Sequence, residues 1–269
     1  MIEVLGYEFF RNALTAGVLA SIACGIIGTY VVVRRMVSVS GGISHAAFGG
    51  IGLGYFLGID PLLGATGFTV ATALGVGALE LRARQQMDTL IGAVWAAGMA
   101  IGILFVYLTP GFAPDLFSYL FGNILLVPRG DILLMMVLVA IIIAVVAYFY
   151  QELQAVTFDP DYARVMNLPV ERLSLLLLVL IALTVVMLIR VVGIILVIAL
   201  LTLPAAISRL YTTRIRSMML LAVALGIIFT VAGIWLSYLA NVPSGATIIL
   251  VSTLSYAGAL GVERLRQGE

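Results

Sequence analysis

One histidine lies within an otherwise apolar stretch, where its side chain could bind an ion. His45 is the single histidine of the chain. An ionisable group within a membrane span is a functional candidate, and imidazole suits transition metals. One imidazole cannot hold zinc alone, because zinc takes about four ligands. Ser40, Ser44, the carbonyls of the adjacent glycines or a second copy of the chain would have to contribute. The alternative is a histidine hydrogen-bonded to a neighbouring helix.

Acidic residues lie at the ends of the apolar stretches. Asp60 and Asp159 each precede a proline, and Asp88 and Asp131 open apolar stretches. These positions are typical of helix caps and first turns. No Asp or Glu lies at the middle of a span. Carriers coupled to protons or sodium use carboxylates there. The pattern therefore disfavours a secondary carrier and hydrolytic chemistry, and it favours energy supplied from outside the spans.

A second candidate site is the polar segment 157–170, TFDPDYARVMNLPV. Asp159 can cap a helix, because its carboxylate accepts hydrogen bonds from the first free N–H groups. Pro160 suits the first helical position, where no N–H is needed. Asn167 tolerates a left-handed conformation and Pro169 blocks continuation. The sequence therefore predicts a short, capped helix over about residues 158–168.

The predicted short helix has an apolar face. The apolar side chains are Phe158, Tyr162, Val165 and Met166, with Asp159 at the start of the helix and Asp161 and Arg164 around its side. A short helix of this kind outside the bilayer favours docking into a groove of another protein. An ordinary interhelical loop is the alternative.

The composition places most of the chain in a membrane. The 269 residues are 63% hydrophobic and 10% charged, which is more apolar than a soluble core needs. Nine stretches approach the roughly 20 residues that cross a bilayer. They are about 12–33, 41–59, 62–80, 89–109, 131–150, 172–189, 192–209, 216–239 and 244–262. The sequence predicts an all-α, polytopic bundle of about eight to nine spans in a single transmembrane domain, residues 1–269.

The sequence leaves one boundary between spans open and contains no nucleotide-binding motif. The sixth and seventh spans are separated only by residues 190–192, and they could instead form a hairpin with irregular ends. No phosphate-binding GxxxxGK[ST] motif occurs in the chain, so the sequence gives no sign of a nucleotide site of its own.

The arginines predict an orientation. The chain has 14 basic residues, all arginine. With the N-terminus outside, eleven of these 14 lie on the cytoplasmic side, as the positive-inside rule favours. They are Arg34, Arg35, Arg82, Arg84, Arg164, Arg172, Arg209, Arg214, Arg216, Arg264 and Arg266. Segment 157–170 and the C-terminus are then cytoplasmic. The outer loop, about residues 110–130, could hold a short interfacial helix at 115–126.

Small residues recur along the second and third spans. They are Ala46, Gly50, Gly54 and Gly58 in the second span, with Gly49 and Gly52 beside them, and Gly67, Ala71 and Gly75 in the third. This spacing lets helix backbones approach closely in lipid. Tight packing is the favoured interpretation, and a helix lining a pathway is the alternative.

Several motifs together resemble one protein family. They are Arg34-Arg35-Met36 followed by SGGISHAAFGG (40–50), SYLFGNIL (118–125), FDPDYARVMNLP (158–169), RVVGIILVIALLTLPAA (190–206) and VPSGA (242–246). In order and spacing, over nearly the whole chain, they resemble the membrane permeases of ABC uptake systems for manganese, zinc and iron. The resemblance implies a fold like that of type II ABC importers, in a prokaryotic cell membrane.

The resemblance also implies partners. These are a second copy of the permease in a homodimer, a cytoplasmic ABC ATPase subunit that binds the ATP, an extracytoplasmic metal-binding delivery protein and the lipid bilayer, with no nucleic acid. The chain itself would bind no cofactor and would not be an enzyme. Zinc, manganese or iron would be its cargo. The segment matching 158–169 is the family's coupling helix, which docks on the ATPase.

Two positions depart from the family pattern. Asn167 stands where the family often has Gly, which is a mild change because both tolerate the left-handed cap. Gly41 stands where many members have an Asp one turn before the histidine, so only His45, with Ser44 beside it, carries over. Either the two histidines of a dimer share the ion, or the pathway passes the metal with little coordination.

Other functions remain as alternatives. One is a metal channel or secondary carrier that needs no ATPase, which the absence of mid-span acids disfavours. Another is an intramembrane enzyme, but His45 has no HExxH-type partner.

Overall fold

The computed structural model describes residues 7–80, 87–110, 119–120, 122 and 124–268, and most of these are helical. In chain order the helices are α1 (Glu8–Val33), α2 (Val37–Leu57), α3 (Pro61–Glu80), α4 (Met87–Leu108), α5 (Arg129–Tyr148), α6 (Tyr150–Phe158), α7 (Pro160–Val165), α8 (Val170–Tyr211), α9 (Ile215–Ala240) and α10 (Ser244–Gln267), with a short 3₁₀ turn at Ile124–Leu126. No strand occurs in these ranges. The predicted all-α fold class is confirmed.

Eight helical segments of the described chain are long and apolar enough to cross a membrane. They are Glu8–Val33, Pro61–Leu79, Asp88–Leu108, Arg129–Tyr148, Val170–Ile189, Val191–Tyr211, Ile215–Ala240 and Ser244–Arg266. The remaining predicted span is helix α2, which spans 21 residues. This helix is not among the eight. The predicted polytopic bundle of about eight to nine spans is confirmed.

Some predicted features lie outside the described residues. Arg82 and Arg84 are among these, and so are residues 115–118, 121 and 123 of the interfacial helix predicted at 115–126. Of that segment, Tyr119 and Leu120 are helical and Ile124–Leu126 forms the 3₁₀ turn.

The helices pack as two compact units. The first comprises Met1–Val33, Phe117–Val145 and Met187–Glu269, and the second comprises Arg34–Leu116 and Val146–Val186. Within the first unit, α1 lies close along α9. A Cβ built on Gly25 of α1 would lie 2.6 Å from the backbone N of Val223. The hydroxyls of Ser21 and Thr230 are hydrogen-bonded at 3.2 Å across the same contact. Small and hydroxylated side chains thus join these two helices, as is common between membrane helices.

In the second unit, α2 lies between α3 and α4 with very little space on either side. A Cβ on Gly50 would lie 2.4 Å from the carbonyl O of Gly64 in α3. A Cβ on Gly52 would lie 2.2 Å from the carbonyl O of Gly102 in α4. No side chain fits at such distances, so glycine permits the contact. The tight-packing interpretation of the second span is confirmed.

The small residues of the third span are used differently. Within the described residues, nothing lies within 4 Å of a Cβ built on Gly67 or Gly75, and Ala71 between them is exposed. Helix α3 instead approaches α2 through Gly64, whose Cβ would lie 3.0 Å from the Gly54 backbone. The row of small residues in α3 that was predicted to pack, Gly67, Ala71 and Gly75, is therefore exposed in the single chain.

Helix α8 is broken between the sixth and seventh predicted spans. Gly193 has φ 76° and ψ 160°, a conformation that essentially only glycine adopts. The break lies next to the predicted separation at 190–192. Gly122, also at positive φ, packs on it, since a Cβ there would lie 2.3 Å from the backbone N of Gly193. Two glycines therefore allow the loop backbone to touch the broken helix.

Gly193→Ala is expected to lower the free energy of unfolding by roughly 1–3 kcal/mol, because an L side chain is strained at this φ and ψ. The measurement is the midpoint of thermal unfolding in detergent. Gly67→Ala is the matched control, since its new Cβ would meet nothing within 4 Å and alanine favours a helix. Equal midpoints for the two variants would contradict the backbone conformation described at Gly193.

Candidate functional site

His45 lies in the third turn of α2 and faces α4. Its imidazole stacks on the indole of Trp95, with ring centroids 4.0 Å apart and an angle of 12° between the planes. The side chain is half-buried. Its Nδ1 atom is buried and has no hydrogen-bond partner among the described residues. The sequence left open that His45 is hydrogen-bonded to a neighbouring helix, but among the described residues no such bond is made by Nδ1.

The two candidate serines are occupied inside α2. Ser40 and Ser44 are both fully buried. The Ser40 hydroxyl donates a hydrogen bond to the carbonyl of Val37, and the Ser44 hydroxyl donates one to the carbonyl of Ser40, both at 2.8 Å. This back-bonding is common for serine within helices. Each oxygen keeps lone pairs that could still face an ion, but the hydroxyl hydrogens are committed.

Around His45 the structure brings together an aromatic ring and small residues rather than acids. Within the described residues, no group of three or more His, Cys, Asp or Glu side chains could hold a metal ion. A Cβ on Gly41 would meet only the Trp95 ring, at 3.7 Å. The arrangement offers an ion one imidazole edge beside an indole, with no carboxylate at position 41.

Sequence reasoning did not single out Trp95. A tryptophan in an apolar span is equally compatible with lipid contact, and the residue is 40% exposed. Its position one turn before Gly98 was the available signal, because Gly98 is one of the residues through which α4 closely approaches α2. A Cβ on Gly98 would lie 2.5 Å from the Cα of Ala46.

The second candidate site, predicted as a helix over about residues 158–168, forms a shorter helix, α7, with the predicted caps, and Phe158 belongs to the preceding helix α6. The Asp159 carboxylate accepts hydrogen bonds from the N–H groups of Asp161 and Tyr162, at 3.1 and 2.9 Å, and Pro160 follows as the first helical residue. At the other end Asn167 has φ 58°. The N–H of Leu168 donates to the carbonyl of Ala163 at 3.0 Å. These bonds satisfy groups that a helix end would leave unpaired.

Helix α7 and the residues that flank it present apolar side chains outward. Tyr162 and Val165 lie in α7, Phe158 ends α6 and Met166 follows α7. The exposed fractions are 54% for Phe158, 58% for Tyr162, 78% for Val165 and 58% for Met166. Ala163, in contrast, is fully buried. An ion pair of 2.7 Å joins Arg164 to Asp161 on the side of the helix. The helix is therefore anchored by one small residue and leaves its large apolar groups uncovered.

Concave surfaces flank α7 on both sides. One hollow lies between α6 and α7 and is lined by Gln151, Gln154, Ala155, Phe158, Asp159 and Tyr162. The other lies beyond the end of α7 and is lined by Arg164, Leu168, Pro169, Val170, Glu171 and Arg172. The first is mainly apolar and the second carries three charged side chains. Both hollows adjoin α7, whose exposed apolar side chains could lie in a groove of a partner.

The chain matches known proteins over nearly its whole length. The ABC 3 transport family matches residues 6–263. An uncharacterised membrane protein of Synechocystis is 49% identical over 264 residues, which cover 98% of this chain and 94% of that protein. The manganese transport system membrane protein MntC of Halalkalibacterium halodurans is 36% identical over 255 residues, which cover 95% of this chain and 87% of that protein.

A solved structure gives the same result for the fold. PsaBC from Streptococcus pneumoniae, in complex with Fab, contains a chain that superposes with a TM-score of 0.86 at 31% identity, covering 96% of this chain and 95% of that one. The resemblance predicted from the motifs is thereby confirmed. The chain is a multi-pass membrane protein of the ABC 3 transport family, a permease subunit of a metal transport system and not itself an enzyme.

Proposed function

We propose that the chain is the permease of an ATP-driven importer that carries a divalent transition metal into the cytoplasm. The observation that carries the proposal is α7, a helix capped at both ends with large apolar side chains exposed. A subunit that receives its energy from another protein needs such a contact. The cargo in this proposal is zinc, manganese or iron, and relatives named for manganese transport favour manganese.

Helix α7 is the proposed coupling helix. Burying Tyr162 or Met166 against an ATPase subunit would contribute roughly 1.5–3 kcal/mol each. A few such contacts suffice to bias two conformations that differ by a few kcal/mol. Closure of the ATPase on ATP would move α7, and the spans would alternate between outward and inward access. The arginine distribution supports placing α7 in the cytoplasm.

The proposed metal pathway runs past His45. Its Nδ1 is enclosed and one ring face is covered by Trp95, which leaves the Nε2 edge to meet an ion. Ser44 and Ser40 lie one and five residues before His45 and could contribute oxygen lone pairs. In a homodimer two copies of His45 would provide two imidazoles. An extracytoplasmic delivery protein would then supply most of the selectivity.

The rival is a metal channel or secondary carrier that works without an ATPase. It would need a coupling ion bound within the spans, and the sequence has no Asp or Glu at mid-span. It would also leave the exposed apolar side chains of α7 without a purpose. Both observations favour the ATP-driven importer.

Tyr162→Asp combined with Met166→Asp is expected to abolish both metal uptake and co-purification of the ATPase subunit, because charges would be buried in an apolar contact. Uptake is measured in liposomes, and size-exclusion chromatography shows whether the permease keeps its fold and oligomeric state. Leu265→Asp is the control, since Leu265 is 81% exposed at the end of α10, between Arg264 and Arg266. Normal coupled uptake in the double variant would refute docking through α7.

His45→Ala is expected to abolish metal uptake while ATP hydrolysis by the assembled transporter persists, because the ATPase is intact and the ion has lost its nitrogen ligand. Uptake of Zn²⁺, Mn²⁺ and Fe²⁺ is compared in the same liposomes. His45→Phe keeps an aromatic ring against Trp95 and removes only the nitrogens, so it should behave like His45→Ala. Unchanged uptake of all three metals would make His45 a packing residue.

A further inference from the structure

The His45–Trp95 stack is a feature that the proposed pathway alone does not explain. The two rings are nearly parallel and in van der Waals contact, 4.0 Å apart at 12°. Aromatic pairs in proteins more often take offset or edge-to-face arrangements at larger separations. Stacking at this distance places the indole over one face of the imidazole. It leaves the ring edge, where the nitrogen lone pair lies, open to a ligand.

A histidine that binds a metal is usually oriented by a hydrogen bond from its second nitrogen. The partner is a carboxylate, a backbone carbonyl or water, and it fixes the rotation of the ring. Nδ1 of His45 has no partner of this kind among the described residues. The neighbouring hydroxyls of Ser40 and Ser44 are bonded to carbonyls of their own helix. Orientation of this imidazole must therefore come from packing.

Trp95 is held where it can provide that packing. Two residues on the same face of α4 contact α2 closely on either side of it: Ile91, whose side chain would be 2.8 Å from a Cβ on Gly42, and Gly98, which lies against Ala46. These contacts fix the distance between the helices. The Trp95 indole lies 3.7 Å from a Cβ built on Gly41. It also stacks on the imidazole of His45, which follows Gly41 by one turn of α2. Trp95 thus lies between two close contacts of α4 with α2 that hold it in place.

We propose that Trp95 is a positioning residue for metal transfer, whose indole holds the His45 imidazole in one orientation with the Nε2 edge toward the ion. The proposal rests on the proposed function, because it assumes that His45 meets the metal. It adds that orientation comes from an aromatic plane in place of a hydrogen bond. Losing the plane frees the ring to rotate, so that ion binding weakens while the nitrogens remain present.

The test measures Mn²⁺ binding to the purified full chain by equilibrium dialysis, for the wild type and three variants. Trp95→Leu keeps an apolar side chain but loses the aromatic plane, and the apparent Kd should rise about 2- to 10-fold, the range expected for loss of one aromatic pair. Trp95→Phe keeps a plane and should bind nearly as the wild type does. Phe105→Leu is the matched control, since Phe105 is another α4 aromatic, paired with Phe56 at 5.2 Å, and should change nothing.

A second readout reports on His45 directly. The chain has two tryptophans, so Trp235→Phe leaves Trp95 as the sole indole. Mn²⁺ is paramagnetic and quenches the emission of an indole that it closely approaches. Quenching should be saturable in this background and absent when His45→Phe is added. Thermal unfolding midpoints check that each variant is folded, and Trp95→Met replaces the leucine variant if that one is not.

The outcomes separate the two claims. Quenching that persists in His45→Phe would overturn both the His45 pathway and the positioning role. Quenching that depends on His45, together with an unchanged Kd in Trp95→Leu, would leave the pathway standing and overturn the role of Trp95. A Kd raised equally in Trp95→Phe and Trp95→Leu would also overturn it, because a retained aromatic plane should rescue binding.

Discussion

The close approach of α2 to its neighbours is the constraint on which the site depends. Lipid tails are as apolar as leucine, so helices in a bilayer associate through contact of their surfaces rather than through the hydrophobic effect. The glycines of α2 let its backbone touch the carbonyls of Gly64 and Gly102. That spacing brings α4 near enough for Trp95 to cover His45. A single added methyl group at Gly52 would collide with α4 and separate the rings.

The chemistry within the spans is correspondingly sparse. Sequence and structure offer the ion one imidazole, two serines already bonded to their own helix, and an aromatic face. A weak, neutral site suits a pathway that must release its ion, since an ion bound by several fixed ligands would stay. In the proposed function, selection of the metal belongs mainly to a partner, and the driving force enters through α7.

Local features were predictable residue by residue, and tertiary ones were not. The caps of α7 followed from Asp159, Pro160 and Asn167, because capping depends on a few adjacent residues. The break in α8 was predicted one residue too early, since the interruption was visible but the left-handed φ of Gly193 was not. The stripe of α3 has the same spacing as that of α2, yet Gly67 and Gly75 meet nothing in the described chain. Trp95 was missed because only the packing of α2 on α4 gives it a partner.

The central claim is that metal movement through this chain is driven by ATP. The most direct measurement is accumulation of Mn²⁺ in liposomes that hold the permease with its ATPase subunit and a metal-loaded delivery protein, with and without ATP. The account predicts accumulation against a gradient only when ATP is present on the side that bears α7. Equal entry of the metal without ATP would contradict it and would identify a channel or an independent carrier.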